Sequence, residues 1–253
     1  MHTETSEVAP VVLFLFAHQD DEFGVFHLIE ACRRDGVRPI CVYFTRGNIR
    51  FGLKRRAESM QVLSKLGVQD EDILFIGDEL AIDDATLPAS LNRASAWLAD
   101  WLTSFKVIKN IYVLAWEGGH HDHDALHAIT LQSAEALGLL SRVRQFPLYN
   151  RYRCPGPFFR VLAPLAANGP VDSHKIPLKR RMAYIGLCLS YPTQWKTWIG
   201  LFPFVVLHYA LRGDQTSQPV SLTRLAERPH EGTLYYEHRK FFDWDRMREC
   251  IGR

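Results

Sequence analysis

The chain alternates short, continuous apolar runs with segments whose apolar residues recur at helical spacing, and few folds accommodate such alternation. The first run, VVLFLFA at residues 11–17, is apolar at every position, which is typical of a strand covered on both faces. Apolar runs and helical periods then alternate to about residue 150. This order predicts parallel strands joined by crossover helices.

The predicted elements define an α/β, Rossmann-like fold, in which a mostly parallel open sheet is flanked by helices. Strands are expected at 11–17, 38–45, 72–77, 110–116 and 142–150, and helices at 23–35, 53–67, 91–105 and 123–138. Pro147 indicates that the last strand lies at an edge or ends early. The 253 residues suit a single domain with a core of about 9–150. Residues 151–253 are expected to form an irregular and helical C-terminal extension that shapes or covers the site.

The bulk composition excludes several classes of protein. A net charge of +2 gives no general affinity for nucleic acid. The five cysteines are scattered and the start, MHTETSEVAP, has no signal core, so we expect reduced thiols and a cytoplasmic location. The apolar segment 198–211 is too short to span a bilayer. A buried core element is favoured there, with membrane-surface contact as the alternative.

Two loops of the predicted sheet carry a dense set of ionisable side chains. The loop after the first strand contains His18, Asp20, Asp21 and Glu22. The loop after the fourth strand, EGGHHDHDALH at 117–127, contains His120, His121, His123 and His127. Because loops that follow parallel strands share one rim of the sheet, these two loops could meet in space.

Their side chains suit a hydrolytic metal site. A catalytic zinc ion typically takes three protein ligands from His, Asp or Glu and keeps one position for water. A His-x-x-Asp from the first loop and one histidine from the second would supply that set. Zinc lowers the pKa of its water toward ~7, and Asp20 could accept the released proton. A remaining histidine could stabilise the oxyanion or protonate the leaving group.

Some of these residues have simpler interpretations. Glu22 could equally cap the helix that follows it. His127 falls inside a predicted helix, where a packed or surface histidine is favoured over a ligand. His121 lies between the two favoured histidines and is expected to be exposed to solvent.

Four motifs resemble those of the PIG-L/LmbE-like family of zinc-dependent N-acetylglucosaminyl N-deacetylases. AHQDDEFG resembles the family's A-H-P-D-D-E signature, and GGHHDHDALH resembles its G-H-x-D-H motif. RRAESMQVLSKLG resembles an R-x-x-E…LG helix, and YPTQ at 191–194 resembles a Y-x-S-Q element. The order matches to about residue 150 and weakly to about 195. Gln19 replaces the usual proline, which removes loop stiffness but no ligand.

The resemblance implies a role for each matching residue. It implies His18, Asp21 and His123 as ligands of Zn²⁺ or another divalent ion such as Fe²⁺, Asp20 as general base, His120 as electrostatic stabiliser or general acid, Asp122 as the residue that orients His120, and Arg55 as a contact to sugar hydroxyls. A surface salt bridge for one of Arg55 and Arg56 is nearly as strong an interpretation.

The resulting prediction is a hydrolase that removes an N-acetyl group from an N-acetylated amino sugar or a sugar conjugate, as used in polysaccharide biosynthesis. An amidase for a longer N-acyl chain or a sugar–amino acid amide, and a non-catalytic glycan- or metal-binding module, are the alternatives. No G-x-G-x-x-G follows the first strand, which disfavours a dinucleotide enzyme. Residues 226–253 either close the substrate pocket or pack on the domain for stability.

Overall fold

A computed structural model describes residues 9–47 and 50–252. Residues 1–8, on which much of the expectation about secretion rests, lie outside this description. The described strands are β1 Val11–Phe16, β2 Arg38–Tyr43, β3 Ile73–Leu74, β4 Ile108–Leu114, β5 Val143–Phe146, β6 Tyr149–Asn150, β7 Arg160–Val161, β8 Asp172–Lys175 and β9 Asp214–Pro219.

The described α-helices are α1 Phe26–Arg34, α2 Gly52–Lys65, α3 Ile76–Glu79, α4 Leu91–Thr103, α5 His121–Ala136, α6 Leu178–Cys188, α7 Trp195–Leu211, α8 Tyr235–His238 and α9 Trp244–Ile251. Short 3₁₀ turns connect them at Asp21–Gly24, Asp70–Asp72, Leu87–Ser90, Leu140–Arg142, Ala166–Asn168, Pro192–Gln194 and Leu222–Ala226.

The main sheet has seven strands in the order β3-β2-β1-β4-β5-β9-β8. Strands β1 to β5 pair in parallel, whereas β9 and β8 add antiparallel pairs beyond β5. All six residues of β1 are buried, as expected for a strand covered on both faces. The predicted α/β class with a mostly parallel sheet is therefore confirmed.

The strand order places the two ionisable loops side by side. β1 pairs with β2 on one side and with β4 on the other, so the direction of winding reverses between β1 and β4. In open α/β sheets, a crevice forms at such a reversal beyond the carboxyl ends of the strands. The loops after β1 and β4 border this crevice.

Two parts of the sheet differ from the prediction. Only Ile73 and Leu74 of the strand predicted at 72–77 pair with β2, and the chain then turns into α3. At that turn a Cβ on Gly77 would lie 2.3 Å from the carbonyl carbon of Thr45, so only glycine permits this approach. Strands β8 and β9 were not predicted, because DSHK and DQTSQP show no apolar pattern.

The apolar segment 198–211 forms most of α7 and is buried on one side only. Trp198, Leu201 and Val205 pack into the core, whereas Ile199 and Leu207 are exposed. The expectation of a buried core element is thus correct for half of this helix. Within residues 9–47 and 50–252, the helices are all too short or too polar to cross a membrane.

Candidate active site

The loop after β1 holds a strained backbone. Asp20 has a positive φ of 118°, a conformation that costs a non-glycine residue on the order of 1–3 kcal/mol and recurs at functional sites. Two carboxylates hold the turn, because the His18 amide donates to Asp21 Oδ2 at 2.7 Å and the Asp20 amide donates to Glu22 Oε2 at 2.9 Å. The loop is therefore fixed by its own acidic side chains.

Gln19, which stands where the family has proline, ties this loop to its surroundings. Its side-chain amide donates to the carbonyl oxygen of Thr45 at 2.8 Å. Its own carbonyl oxygen accepts a hydrogen bond from the side chain of Gln194. These contacts from two neighbouring segments supply rigidity that a proline would otherwise give.

The loop after β4 leads directly into α5. The His120 side chain caps this helix, and its Nδ1 accepts a hydrogen bond from the Asp122 amide at 3.1 Å. The first turn of α5 then carries Asp122 and His123 into the crevice, where both are buried. Negative charge is favoured at this helix terminus by the backbone dipole.

Three side chains from the two loops converge on one point. His18 Nδ1 lies 3.1 Å from His123 Nε2, which in turn lies 3.1 Å from Asp21 Oδ1. The other oxygen of the same carboxylate, Asp21 Oδ2, lies 3.7 Å from His18 Nδ1. Ligands bound to zinc at 2.0–2.1 Å in a tetrahedron are about 3.3 Å apart. The three donor atoms therefore fit a divalent metal ion.

The protonation pattern of the site agrees with this interpretation. Burial alone would lower the pKa of His18, but hydrogen bonds to Asp122 and Asp21 raise it well above its ordinary value. Burial would raise the pKa of Asp21, yet the neighbouring His123 holds it well below the usual range. The carboxylates thus favour a positive charge on His18, where a metal ion would compete with the proton.

Asp122 contacts His18 more closely than His120, the partner expected from the resemblance. Its Oδ2 accepts from His18 Nε2 at 2.9 Å and lies 3.9 Å from His120 Nδ1. The amides of Ala85 and Leu87 also donate to this carboxylate, at 2.6 and 3.1 Å. A carboxylate behind a histidine fixes the tautomer that leaves the other ring nitrogen, here Nδ1, free for a metal.

Asp20 and His120 flank the converging ligands, and burial shifts the pKa values of these two side chains in opposite directions. Burial, and then the charge of Asp21, raise the pKa of Asp20 well above its ordinary value, although Arg55 partly opposes this. Burial and the neighbouring His18 lower the pKa of His120 well below its ordinary value. Ring nitrogens of His18, His120 and His123 all lie within 4.8 Å of one another, so His120 borders the same point.

Arg55 and Arg56 both form ion pairs, but in different surroundings. Arg55 is 15% exposed and pairs with Asp84, whose Oδ1 accepts from the Thr45 hydroxyl at 2.7 Å. Arg56 pairs with Asp78 at 2.5 Å and lies over the ring of Phe75. The arginine near the site is therefore Arg55, and its contact to substrate remains a prediction.

Of the simpler interpretations given to His127 and His121, one is confirmed and one is wrong. His127 is a packed residue, as expected, and its Nδ1 lies 2.8 Å from the carbonyl oxygen of Leu114. The expected solvent exposure of His121 is wrong, because this residue is buried and stacks on Phe242 from the C-terminal segment. Only the tertiary structure brings Phe242 there.

The YPTQ segment at residues 191–194 hydrogen-bonds two glutamates near the site. The Tyr191 hydroxyl donates to Glu22 Oε1 at 2.9 Å, and the Thr193 amide donates to Glu58 Oε1 at 3.0 Å. Glu22 and Glu58 are both buried. This segment therefore joins the loop after β1 to α2, which carries Arg55.

A cavity of about 410 Å³ opens beside His120. Its walls are formed by His120, Tyr149, Pro157, Phe159, Lys196, Thr197, Gly200, Leu201, Tyr235, His238, Arg239 and Phe241. The Tyr149 ring lies 5.5 Å from the His123 ring and 5.5 Å from the Tyr235 ring. Most of these residues follow residue 150, where the sequence offered no pattern to single them out.

Of residues 226–253, which were expected to close the substrate pocket or to pack on the domain, Tyr235, His238, Arg239 and Phe241 line this cavity. Arg228 pairs with Glu237, and Glu231 pairs with Arg153 at 3.2 Å. The buried Tyr236 packs against the domain. The C-terminal segment thus combines packing with one wall of the cavity.

The chain matches known proteins in its family domain and in its fold. Residues 13–134 match the family model PIG-L, described as GlcNAc-PI de-N-acetylase. This match covers the motifs around His18 and His123 and confirms the resemblance that they suggested. No curated protein sequence matches the chain.

Three solved structures share the fold at low identity. The A40926 pseudoaglycone deacetylase Dbv21 is 19% identical with a TM-score of 0.64, over 85% of this chain and 98% of that one. The zinc-inhibited form of teicoplanin deacetylase Orf2 is 15% identical with a TM-score of 0.65, over 83% and 97%. The N,N′-diacetylchitobiose deacetylase from Pyrococcus horikoshii is 15% identical with a TM-score of 0.62, over 88% of each chain.

Proposed function

The chain carries a PIG-L family domain over residues 13–134, and on that premise we propose that it is a metal-dependent N-deacetylase of an N-acetylated amino sugar or sugar conjugate. The convergence of His18, Asp21 and His123 at the crevice between β1 and β4 carries this proposal. The deacetylases that share the fold support it, since they are named for the A40926 pseudoaglycone, for teicoplanin and for N,N′-diacetylchitobiose.

His18, Asp21 and His123 would hold the metal ion, with Zn²⁺ as the first choice and Fe²⁺ as an alternative for the same donor set. A divalent ion held there supplies a Lewis acid for the amide carbonyl and makes water acidic enough to lose a proton near neutral pH. Asp122 keeps His18 in the tautomer that ligation needs.

Asp20 is suited to move a proton twice. Its carboxylate lies next to the ligands, where burial raises its pKa and makes it a stronger base, while the charge of Arg55 favours the ionised form that can accept a proton. It would accept the proton of the attacking water as the C–O bond forms, and deliver that proton to the nitrogen as the C–N bond breaks. The products are a carboxylic acid, acetate for an N-acetyl group, and the free amine.

His120 is suited to stabilise the developing oxyanion. Since its Nδ1 accepts the hydrogen bond from the Asp122 amide, the neutral ring carries its proton on Nε2. Burial keeps this ring neutral by lowering its pKa. A fixed N–H donor beside the ligands can hydrogen-bond the carbonyl oxygen as its charge grows.

The cavity favours a bulky, partly polar substrate. Tyr149, Phe159 and Tyr235 provide aromatic walls, on which the C–H faces of a sugar ring can pack. Arg55 lies on the Asp20 side of the site, where we propose that it contacts sugar hydroxyls.

We further propose a single catalytic domain whose C-terminal extension shapes this cavity. Five free cysteines favour action in a reducing compartment such as the cytoplasm.

The experiment is acetate release from free, nucleotide-linked and lipid-linked N-acetylated sugars by the zinc-loaded protein. Long-chain N-acyl amines and sugar–amino acid amides in the same panel address the amidase alternative. We expect Asp20→Asn to keep its zinc and to lower kcat by at least about 10²-fold. Full activity of D20N would contradict its assigned role, and no hydrolysis of any panel member would favour a binding module.

A further inference from the structure

Apart from Lys196 and Thr197 near its start, helix α7 is apolar around most of its circumference, yet the domain covers only one side of it. Trp198, Leu201 and Val205 face the core. On the opposite side, Trp195, Ile199, Leu207 and Leu211 are each more than half exposed. A surface helix of a globular protein normally carries polar residues on its outer side, whereas a helix that is apolar all round is usually covered all round.

The exposed residues form one continuous surface. Trp195, Ile199, Pro203, Leu207 and Leu211 recur every fourth residue, so they share one broad side of the helix over about 24 Å. Leu189, also exposed, lines an apolar groove together with Trp195 and Ile199. We call these six residues the α7 face.

The charged side chains near the α7 face are mostly basic, although Arg212 pairs with Asp214 at 3.7 Å. Residues 177–213 contain no Asp or Glu, but they contain three lysines and arginines on α6 and two more at Lys196 and Arg212. Arg180 pairs with Glu30, and the exposed Lys179 and Lys196 add positive charge to this region. A second copy of the chain would meet this surface with like charge. Anionic lipid headgroups would complement it, and the interface below them would accept the apolar side chains.

The α7 face adjoins the cavity. The same helix contributes Lys196, Thr197 and Leu201 to the cavity wall. Phe241, which also lines the cavity, leaves about half of its side chain exposed. A flat surface against α7 would therefore lie close to the cavity opening.

We propose that the α7 face docks on the surface of an anionic membrane, with α7 lying in the interface. One consequence rests on the proposed function: the docked enzyme would meet an amphiphilic amino-sugar conjugate at the lipid surface. The docking itself depends on Trp195, Ile199 and Leu207, and not on the metal site.

Vesicle sedimentation of the full chain tests the docking. We expect binding to phosphatidylcholine vesicles that contain phosphatidylglycerol, weaker binding to phosphatidylcholine alone, and a loss of binding with added salt. Ile199→Gln with Leu207→Gln should lower the partition coefficient by about tenfold or more. Leu53→Gln with Val107→Gln, which replaces exposed apolar residues of other elements, should leave it unchanged.

Two further measurements separate the outcomes. Both double variants should melt like the wild type and release acetate from a soluble substrate at its rate, so a failed deacetylation assay would count against the proposed function alone. Docking is overturned if the wild type binds neither vesicle, or if I199Q/L207Q binds as well as the wild type. A lipid-free dimer that this variant dissociates, without vesicle binding, would assign the α7 face to a second copy.

Discussion

Two aspartates in the first turn of α5 show how its surroundings set the pKa of a carboxyl group. Asp122 and Asp124 are both fully buried. Burial opposes the charge of Asp122, but the hydrogen bond from His18 lowers its pKa. Burial raises the pKa of Asp124 well above its ordinary value. The hydrogen bonds that its carboxylate accepts from the Glu117 and Gly118 amides are long, at 3.4 and 3.3 Å.

We predict that Asp122→Asn weakens zinc binding by about 10–100-fold, because it removes the charged acceptor behind His18. Asp124→Asn is the matched control: an amide resembles the neutral acid in size and shape, so zinc affinity should change little. Competition with a chromophoric chelator measures both affinities. Equal losses in the two variants would mean that Asp122 acts through folding rather than through His18.

The site residues that could be singled out from the sequence lie within short motifs. The cluster of His18, Asp20 and Asp21 is visible in four consecutive positions, and its metal-site interpretation needs only one partner histidine. The contacts of Asp122 could not be predicted, since they depend on amides of Ala85 and Leu87 from a loop without any periodic pattern.

At the scale of elements, α5 is the helix that the domain buries most completely, and it carries a buried histidine beyond the site. His127 hydrogen-bonds the Leu114 carbonyl at the end of β4, and burial lowers its pKa to about 4. An unfolded chain would bind a proton there near pH 6.5. Stability from this group is therefore complete above about pH 6.5 and is lost as the pH falls toward 4.

We predict that the contribution of His127 to the free energy of unfolding falls by about 2 kcal/mol when the pH is lowered from 7 to 5. Urea unfolding of the wild type and of His127→Gln at both pH values measures it. The variant should be less stable at pH 7 but should lose less stability on acidification. The same loss in both proteins would show that His127 does not carry this pH dependence.

Elements were predictable from sequence wherever apolar periodicity was strong. β1, β4 and the helices after them lie close to their predicted positions. β8 and β9 escaped prediction because their residues are polar and find partners inside the protein, as where Gln215 bonds the backbone of Phe23 and His27. The segment 72–77 was misread because its apolar residues pack around a tight turn at Gly77 instead of pairing.

At the scale of the whole molecule, the order of the strands brings together residues that no single motif contains. His18 and His123 are separated by 105 positions, and they meet because β1 and β4 are neighbours with parallel directions. The alternation of strands and helices predicted a shared rim, but the sheet order determines which loops touch. Except for His120, the residues of the cavity wall lie beyond the family match, so in the proposed enzyme the substrate contacts and the chemistry would come from different parts of the chain.

Zinc titration into chelator-stripped protein, with acetate release followed in parallel, tests the shared metal centre most directly. We predict one tight site per chain, no turnover without metal, and a steep loss of affinity in both His18→Ala and His123→Ala, since each loop supplies part of the ligand set. Full turnover by the stripped protein, or unchanged zinc affinity in either variant, would contradict a metal centre built jointly by the loops after β1 and β4.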